Sequence, residues 1–162
     1  MSELLLTGEF EHTIDEKNRL FIPNKFRSQL DPELYGTELC LSMGPNGILS
    51  LYPEKYFRKA VLAGVSNIKA ADDAVAYERL SYGLTNKVEL DRQGRFLINE
   101  TLKKRANLGN EVTLVGVGDH FEIWNREEWE RYLSENAPAY MQQAARARQE
   151  NLEKQNQKLE AT

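Results

Sequence analysis

The sequence has few of the residues from which enzyme and metal sites are usually built. Among its 162 residues there is one cysteine, Cys40, and there are two histidines, His12 and His120. A single cysteine excludes an intramolecular disulfide and is typical of a reducing compartment. Neither histidine has a further histidine or cysteine at a metal-ligand spacing. The sequence therefore predicts a protein that is not an enzyme and carries no metal or other cofactor.

Long apolar runs are also absent. The early run at residues 4–6 is preceded by Glu3 and followed by Thr7 and Gly8. It is too short for a signal peptide or a membrane span. The hydrophobic fraction of 41% and the mean hydropathy of -0.60 are typical of a globular chain with one very polar segment. We therefore expect a cytoplasmic protein without a membrane partner.

An overall positive charge, which most nucleic-acid-binding domains have, is missing as well. The formal net charge is -4 and the isoelectric point is about 5.4, which counts mildly against a nucleic-acid partner. The charge is unevenly distributed, however. Residues 12–30 contain four basic and two acidic side chains, and residues 87–108 contain six basic and three acidic ones. These two segments are the basic parts of an acidic protein.

What the sequence does contain is an internal duplication. The matching segments are residues 14–22 with 90–98, 38–41 with 111–114, and 49–52 with 121–124. In each copy an Asp precedes an Arg by four positions, as Asp15 and Arg19 and again 76 residues later as Asp91 and Arg95. Two copies are too few for a solenoid, and each half alone is too small for a stable core. The duplication predicts one pseudo-two-fold domain whose halves share a core.

Each copy is predicted to contain a tight β-hairpin. The expected strands are residues 9–14 and 20–22 in the first copy and residues 88–90 and 96–98 in the second. Asn18 and Gly94 occupy equivalent positions in the two turns. Asparagine and glycine are the residues that most readily adopt a positive φ, which tight hairpin turns require.

Helices are expected after each hairpin and near the end of the chain. Pro23 suits the first turn of one short helix. Asn99 is the expected N-cap of its counterpart, and Gly109 is the expected end of that helix. Asn125 and Glu128 have the spacing of a capping box for a later helix.

The chain as a whole reads as an α+β protein with four segments. They are a first half at residues 8–67, an amphipathic connecting helix at 68–84, a second half at 85–133, and a polar helical tail at 134–162 that frays toward its end. Leucines and an alanine recur every seven residues in the tail, but a seam of one position per heptad is too narrow for a coiled coil.

The Asp-x-x-x-Arg pair has two interpretations. In the structural one, the Asp accepts backbone N–H groups of the turn and pairs with the Arg across the strand ends. In the functional one, a rigid turn presents an arginine whose planar group contacts a phosphate or a guanine edge at two points. A two-stranded ribbon also fits the major groove of DNA. Both interpretations can hold for the same residue pair.

Several of these motifs occur together, and in the same order, in a known family. They are residues 8–15, 19–23, 89–95, 111–116 and 121–124. Over roughly residues 8–133 the chain closely resembles the MraZ family. Asn18 stands where that family commonly has glycine, and Asn99 stands where the first copy has Pro23. The tail lies outside the resemblance.

The resemblance implies a bacterial transcriptional regulator with a SpoVT/AbrB-like swapped-hairpin fold. Residues 8–67 and 85–133 would be two pseudo-symmetric β-barrel halves with short peripheral helices, followed by a C-terminal helix. The chains would form a ring-shaped homo-oligomer associated with the nucleoid. The ring would bind double-stranded DNA at repeated promoter boxes upstream of the division and cell-wall gene cluster.

The resemblance also assigns candidate DNA-binding residues. They are Asp15, Lys17, Asn18, Arg19, Lys25 and Arg27 in the first copy, and Asp91, Arg92 and Arg95 in the second. The first copy is the expected reader, whereas the second copy either reads DNA or supports assembly. The alternative function is an AbrB-fold protein-interaction module, either antitoxin-like or a scaffold, although the polar tail differs from the apolar segment with which an antitoxin wraps its toxin.

Overall fold

The computed structural model describes residues 4–162 and contains an α+β fold. The strands are β1 (Glu9–Thr13), β2 (Arg19–Phe21), β3 (Glu38–Met43), β4 (Leu49–Pro53), β5 (Asn86–Glu89), β6 (Arg95–Leu97), β7 (Glu111–Gly116) and β8 (Phe121–Asn125). The helices are α1 (Asn24–Arg27), α2 (Pro32–Tyr35), α3 (Glu54–Asn67), α4 (Ala71–Gly83), α5 (Glu100–Arg105) and α6 (Arg126–Glu160). The chain divides into two compact units, Met1–Arg126 and Glu127–Thr162.

The main sheet is antiparallel and alternates between the two copies of the repeat. Its strand order is β1-β7-β8-β4-β3-β5. Exchanging the copies, β1 for β5, β3 for β7 and β4 for β8, turns this order into its own reverse. Each edge strand is therefore supplied by one copy to the hairpin of the other. The sheet stays open at β1 and β5, so a closed barrel is not confirmed.

A second, two-stranded sheet joins the copies again. Here β2 pairs antiparallel with β6, and Leu20 lies opposite Phe96 at its centre. The ribbon is extended at both ends because the Ile22 N–H donates to the Gly94 carbonyl at 2.9 Å and the Ile98 N–H donates to the Asn18 carbonyl at 2.7 Å. We call this element, with the turn that precedes each strand, the central ribbon.

The predicted local hairpins are therefore wrong in their pairing, although their turns are present. The strands before and after each turn find their main partners in the other copy, β1 with β7 and β2 with β6. The physical reason is the core: Leu20, Ile22, Phe96 and Ile98 are all at most 1% exposed. Pairing across the copies lets both halves bury these side chains together, which neither small half achieves alone.

One shared core was predicted from the duplication and is confirmed. A single cluster of buried side chains contains residues of both copies, including Leu41, Leu49, Leu114 and Ile123 from the main sheet. Ser50 and Thr113 are also buried on this sheet.

The helix caps were predicted with mixed success. Asn99 is the N-cap of α5, as expected, and its Oδ1 accepts from the N–H groups of Thr101 and Leu102 at 2.8 and 3.2 Å. Gly109 does not end this helix. Asn107, which lies closer to the last helical residue, takes the left-handed conformation with φ 51.

Asn125, the residue before α6, bonds to the loop after α5. The Asn125 Oδ1 accepts from the Gly109 N–H at 2.7 Å, and its Nδ2 donates to the Asn107 carbonyl at 2.9 Å. Its side chain is thus committed to the loop after α5.

The remaining helices follow the sequence pattern in part. α3 buries Tyr56, Phe57 and Val61 against the sheet. The connecting helix forms as α4 but buries no residue. α6 is a single 35-residue helix that contains Pro138 and likewise buries no residue. No helix in residues 4–162 is long and apolar enough to cross a membrane.

Candidate nucleic-acid interface

The first turn of the central ribbon is organised by one carboxylate. Asp15 Oδ1 accepts from the backbone N–H groups of Lys17 and Arg19, both at 2.9 Å, and Oδ2 accepts from Arg19 Nε at 2.7 Å. The backbone closes the same turn, since the Asp15 N–H donates to the Arg19 carbonyl and the Asn18 N–H donates to the Asp15 carbonyl, both at 3.0 Å. These contacts match the structural interpretation of the motif.

The second turn repeats this geometry. Asp91 Oδ1 accepts from the N–H groups of Gln93 and Arg95 at 2.9 and 3.0 Å, and Oδ2 accepts from Arg95 Nε at 2.9 Å. The predicted left-handed positions are confirmed as well, with φ 58 at Asn18 and φ 79 at Gly94. The Asp-x-x-x-Arg motif is therefore a local structural unit that forms in both copies.

Both turn carboxylates are stabilised in their charged form. The pKa of Asp15 is lowered, first by the backbone N–H of Arg19, then by the Arg19 side chain and the Lys17 N–H, while desolvation acts in the opposite direction. Asp91 has a lowered pKa for the same reasons, with Arg95 and Gln93 as the donors. Each carboxylate consequently remains an anionic anchor for its arginine.

The two arginines remain partly accessible while they are held. The side chain of Arg19 is 31% exposed and that of Arg95 is 27% exposed. Asp15 and Asp91 engage only Nε, so the two terminal nitrogens of each guanidinium have no hydrogen-bond partner in the part of the chain that the structure describes. Two parallel N–H groups on a fixed plane are the arrangement that contacts a phosphate or a base edge at two points.

The other predicted cations lie around these turns. Lys17 and Arg92 are exposed at the first and second turn, respectively. Lys25 is exposed on α1, and its Nζ lies 5.0 Å from the centre of the Phe26 ring. The ribbon and its flanking helices thus bring together the two segments that the sequence identified as basic.

Arg27, predicted as part of the first copy's surface, lies at the turn of the second copy. A Cβ built on Gly94 would lie 2.5 Å from the Arg27 guanidinium, so this group packs directly on the glycine. The guanidinium also lies 5.4 Å from the centre of the Phe21 ring. Its Nε is buried without a hydrogen-bond partner among the described residues.

Lys103 holds the equivalent place at the first turn, and sequence reasoning did not select it. Its Nζ lies 3.3 Å from Asn18 Oδ1 and 2.6 Å from Asn110 Oδ1. The signal was present, because Lys103 follows Arg27 by the same 76 residues that separate Asp15 from Asp91. Each turn is therefore completed by a cation of the other copy.

Cys40 and His120, which belong to no metal-ligand pattern in the sequence, are packed within the fold. Cys40 is buried, and desolvation raises the pKa of its thiol. His120 stacks on Tyr52 with ring centres 4.4 Å apart, and its Nδ1 lies 2.8 Å from Asp119 Oδ1. Residues 4–162 contain no group of histidine, cysteine and carboxylate side chains that could hold a metal ion.

Comparison with known proteins gives one consistent family. The profile of the family described as "MraZ protein, putative antitoxin-like" matches residues 5–76 and 82–151. The chain is 41% identical over 132 residues to a protein of Lactiplantibacillus plantarum named transcriptional regulator MraZ, a match that covers 80% of this chain and 89% of the relative. Proteins of the same name from Clostridium tetani and Moorella thermoacetica are 35% and 36% identical, covering 82% and 84% of this chain and 89% and 92% of theirs.

Proposed function

This chain belongs to the MraZ family of transcriptional regulators, and we propose that it reads DNA through the Asp-x-x-x-Arg turns of its central ribbon. The observation that carries the proposal is the repeated turn, in which a charged carboxylate fixes Arg19 or Arg95 by Nε and leaves the end of the guanidinium available. Such a rigid, pre-oriented donor pair is suited to a base edge or a phosphate.

The residue roles follow from position. Arg19 makes the main contact with a base edge or phosphate, and Asp15 holds its orientation. Lys17 and Lys25, which are exposed, neutralise backbone phosphates, the sequence-independent part of DNA binding. Asn18 is the last residue of the same turn, after its central residues Glu16 and Lys17.

The cations of the second turn make a similar but less extensive set. Asp91 orients Arg95, Arg92 is exposed beside it, and Arg27 joins them from the first copy. The second turn either contacts DNA or supports contacts between chains.

The acidic net charge is compatible with DNA binding if several ribbons act together. We propose that each half adopts the swapped-hairpin arrangement of SpoVT/AbrB-like proteins and that the chains form a ring. A ring that presents several identical ribbons turns later contacts into intramolecular ones, with avidity gains of about 10² or more. Repeated promoter boxes upstream of the division and cell-wall gene cluster are the matching target, read by a cytoplasmic protein at the nucleoid.

The proposal is tested by replacing one arginine of the ribbon and one elsewhere. Arg19→Ala is expected to weaken binding to the DNA upstream of the protein's own gene by at least about tenfold, the scale of one lost bidentate contact. Arg58→Ala is the matched control, because Arg58 also forms an i,i+4 ion pair, with Glu54 on α3. Binding is measured by gel shift and footprinting, and assembly size by light scattering.

The outcomes separate reading from assembly. Undiminished binding by Arg19→Ala at unchanged size would refute the assignment. For Arg95→Ala, lost binding at unchanged size identifies the second turn as a reader, and lost assembly identifies it as a scaffold.

A second function is favoured by the antitoxin-like description of the matching family. In that case the chain would act as a protein-interaction module, and its surface would capture a protein in place of DNA. A pull-down and a promoter-binding assay on one preparation discriminate the two functions, since an interaction module retains a protein and does not protect repeated boxes.

A further inference from the structure

Lys103 of the second copy contacts Asn18, the last residue of the first DNA-reading turn. Its Nζ lies 3.3 Å from Asn18 Oδ1, across 85 positions of sequence. Asn18 is half-buried, and its backbone is held in the left-handed region with φ 58. The Asn18 side chain is therefore controlled by a residue that no local motif of the first copy contains.

The lysine is held in a defined position. Its helix, α5, begins at Glu100 and is capped by Asn99, and the preceding Leu102 is 2% exposed in the core. Its ammonium also donates to Asn110 Oδ1 at 2.6 Å. The Asn110 carbonyl in turn accepts from the Ile14 N–H at 2.8 Å, next to Asp15.

The chemistry of the two groups fixes the orientation of the Asn18 amide. A lysine ammonium has three donors and no acceptor, so it can only face the amide oxygen of asparagine. The Asn18 Nδ2 consequently faces away from the lysine. The positive charge next to Oδ1 also disfavours the approach of a further N–H donor to that oxygen.

We propose that Lys103 is a positioning residue that makes Asn18 a donor-only reader at the end of the first turn. Resting on the proposed function, this inference defines which base edges the Asn18 amide can contact: those that present hydrogen-bond acceptors. Asparagine otherwise reads adenine in the major groove with both its oxygen and its nitrogen. The second turn lacks such a side chain, because its equivalent residue is Gly94, on which Arg27 packs.

The experiment measures base preference with matched lysine variants. Lys103→Met removes the ammonium and keeps the length of the side chain. Lys104→Met removes the same charge from the exposed neighbour on α5, and Lys103→Arg retains a donor-only cation. Each variant is titrated against a promoter box in which every base pair is substituted in turn, at several salt concentrations, with thermal unfolding as the control for folding.

The expected result is a change at one base-pair position. The wild-type protein should prefer, at that position, a base edge that presents only acceptors to the edge of adenine. Lys103→Met should lower this ratio of affinities by about fivefold or more, the lower limit for one bidentate base contact. Lys104→Met and Lys103→Arg keep the wild-type profile. In an Asn18→Gly background, which keeps the left-handed turn, Lys103→Met has no further effect on preference, because the coupled partner is gone.

Three results would overturn the role of Lys103, and a fourth would overturn the proposed function as well. If Lys103→Met weakens binding equally to all boxes and lowers its salt dependence, Lys103 is a phosphate contact. If its effect on preference persists in Asn18→Gly, it does not act through the amide. If the wild-type protein binds promoter and scrambled DNA equally, both the proposed function and the role of Lys103 are refuted. If binding is specific and depends on Arg19 but not on Lys103, only the role of Lys103 is refuted.

Discussion

Gly94 is the position where a single methyl group tests the packing of the central ribbon. Its φ is 79, so any L-residue there adopts the left-handed conformation at a cost of about 1–2 kcal/mol. The added Cβ would lie 2.5 Å from the Arg27 guanidinium, well inside contact distance, so the guanidinium has to move. That movement gives up its position over the Phe21 ring, a cation–π contact of about 0.5–1 kcal/mol.

Gly118 supplies the matched control. Its φ is 80, almost the same as that of Gly94, and a Cβ built on it has nothing within 4 Å. Gly118→Ala should therefore cost about 1–2 kcal/mol from the backbone alone, and Gly94→Ala about 1.5–3 kcal/mol with the displaced cation–π contact added. At about 2–4 °C per kcal/mol for a protein of this size, Gly94→Ala should melt about 1–4 °C below Gly118→Ala.

Thermal unfolding followed by circular dichroism measures this difference. All variants are compared at one chain concentration, because the melting temperature of a self-associating protein depends on concentration and the proposed ring would have this effect. In an Arg27→Ala background the extra loss at Gly94 should vanish, because no guanidinium remains to be displaced. Equal melting temperatures for the two glycine variants, or a difference that survives in Arg27→Ala, would refute the packing of Arg27 on the second turn.

Two further predictions concern ionisable groups. The pKa of Asp15 is lowered from its ordinary value of 3.8, so its contribution to stability is present above that pH and is lost as pH falls through the folded-state pKa. The melting temperature of Asp15→Asn should therefore fall less than that of the wild type between about pH 5 and pH 2, and Asp91→Asn should behave alike. If the melting temperatures of both variants fell with pH as steeply as that of the wild type, the turn geometry would be contradicted. Cys40 is buried with a raised thiol pKa, so a disulfide reagent at pH 8 should modify the native protein at least about tenfold more slowly than the unfolded chain, and an immediate native reaction would place the thiol at the surface.

The local devices of this fold were predictable because a few adjacent residues determine them. The carboxylate of Asp15, two N–H groups within four positions and a residue that tolerates positive φ are enough to form the turn. The same holds for Asn99, whose side chain caps the helix that begins at the next residue. The turn was also supported by the repeat, whereas the Asn99 cap was read from the second copy alone, since the first copy has Pro23 at that position.

The strand pairing could not be predicted from the residues alone. Residues 9–14 and 20–22 have the alternation of strands, but that alternation does not say which strand is the partner. The choice is decided by Leu20, Phe96 and their neighbours, which are buried together only when the copies exchange strands. Only the resemblance to the MraZ family implied such an exchange.

The candidate site shows the same division between local and long-range information. Asp15 and Arg19 were identifiable from their spacing, whereas Lys103 reaches Asn18 only through the tertiary fold. Asn125 is a further case, since its side-chain contacts with the loop after α5 also depend on the tertiary fold.

The order in which the strands are made has a consequence for biosynthesis. Glu9 at the start of β1 pairs with Val115 in β7, so the first strand leaves the ribosome long before its partner has been translated. A nascent chain therefore carries an unpaired row of backbone donors and acceptors through most of its synthesis, the kind of edge to which other strands add. Completion of the main sheet has to wait for the C-terminal half, so β1 cannot reach its native pairing until β7 has been translated.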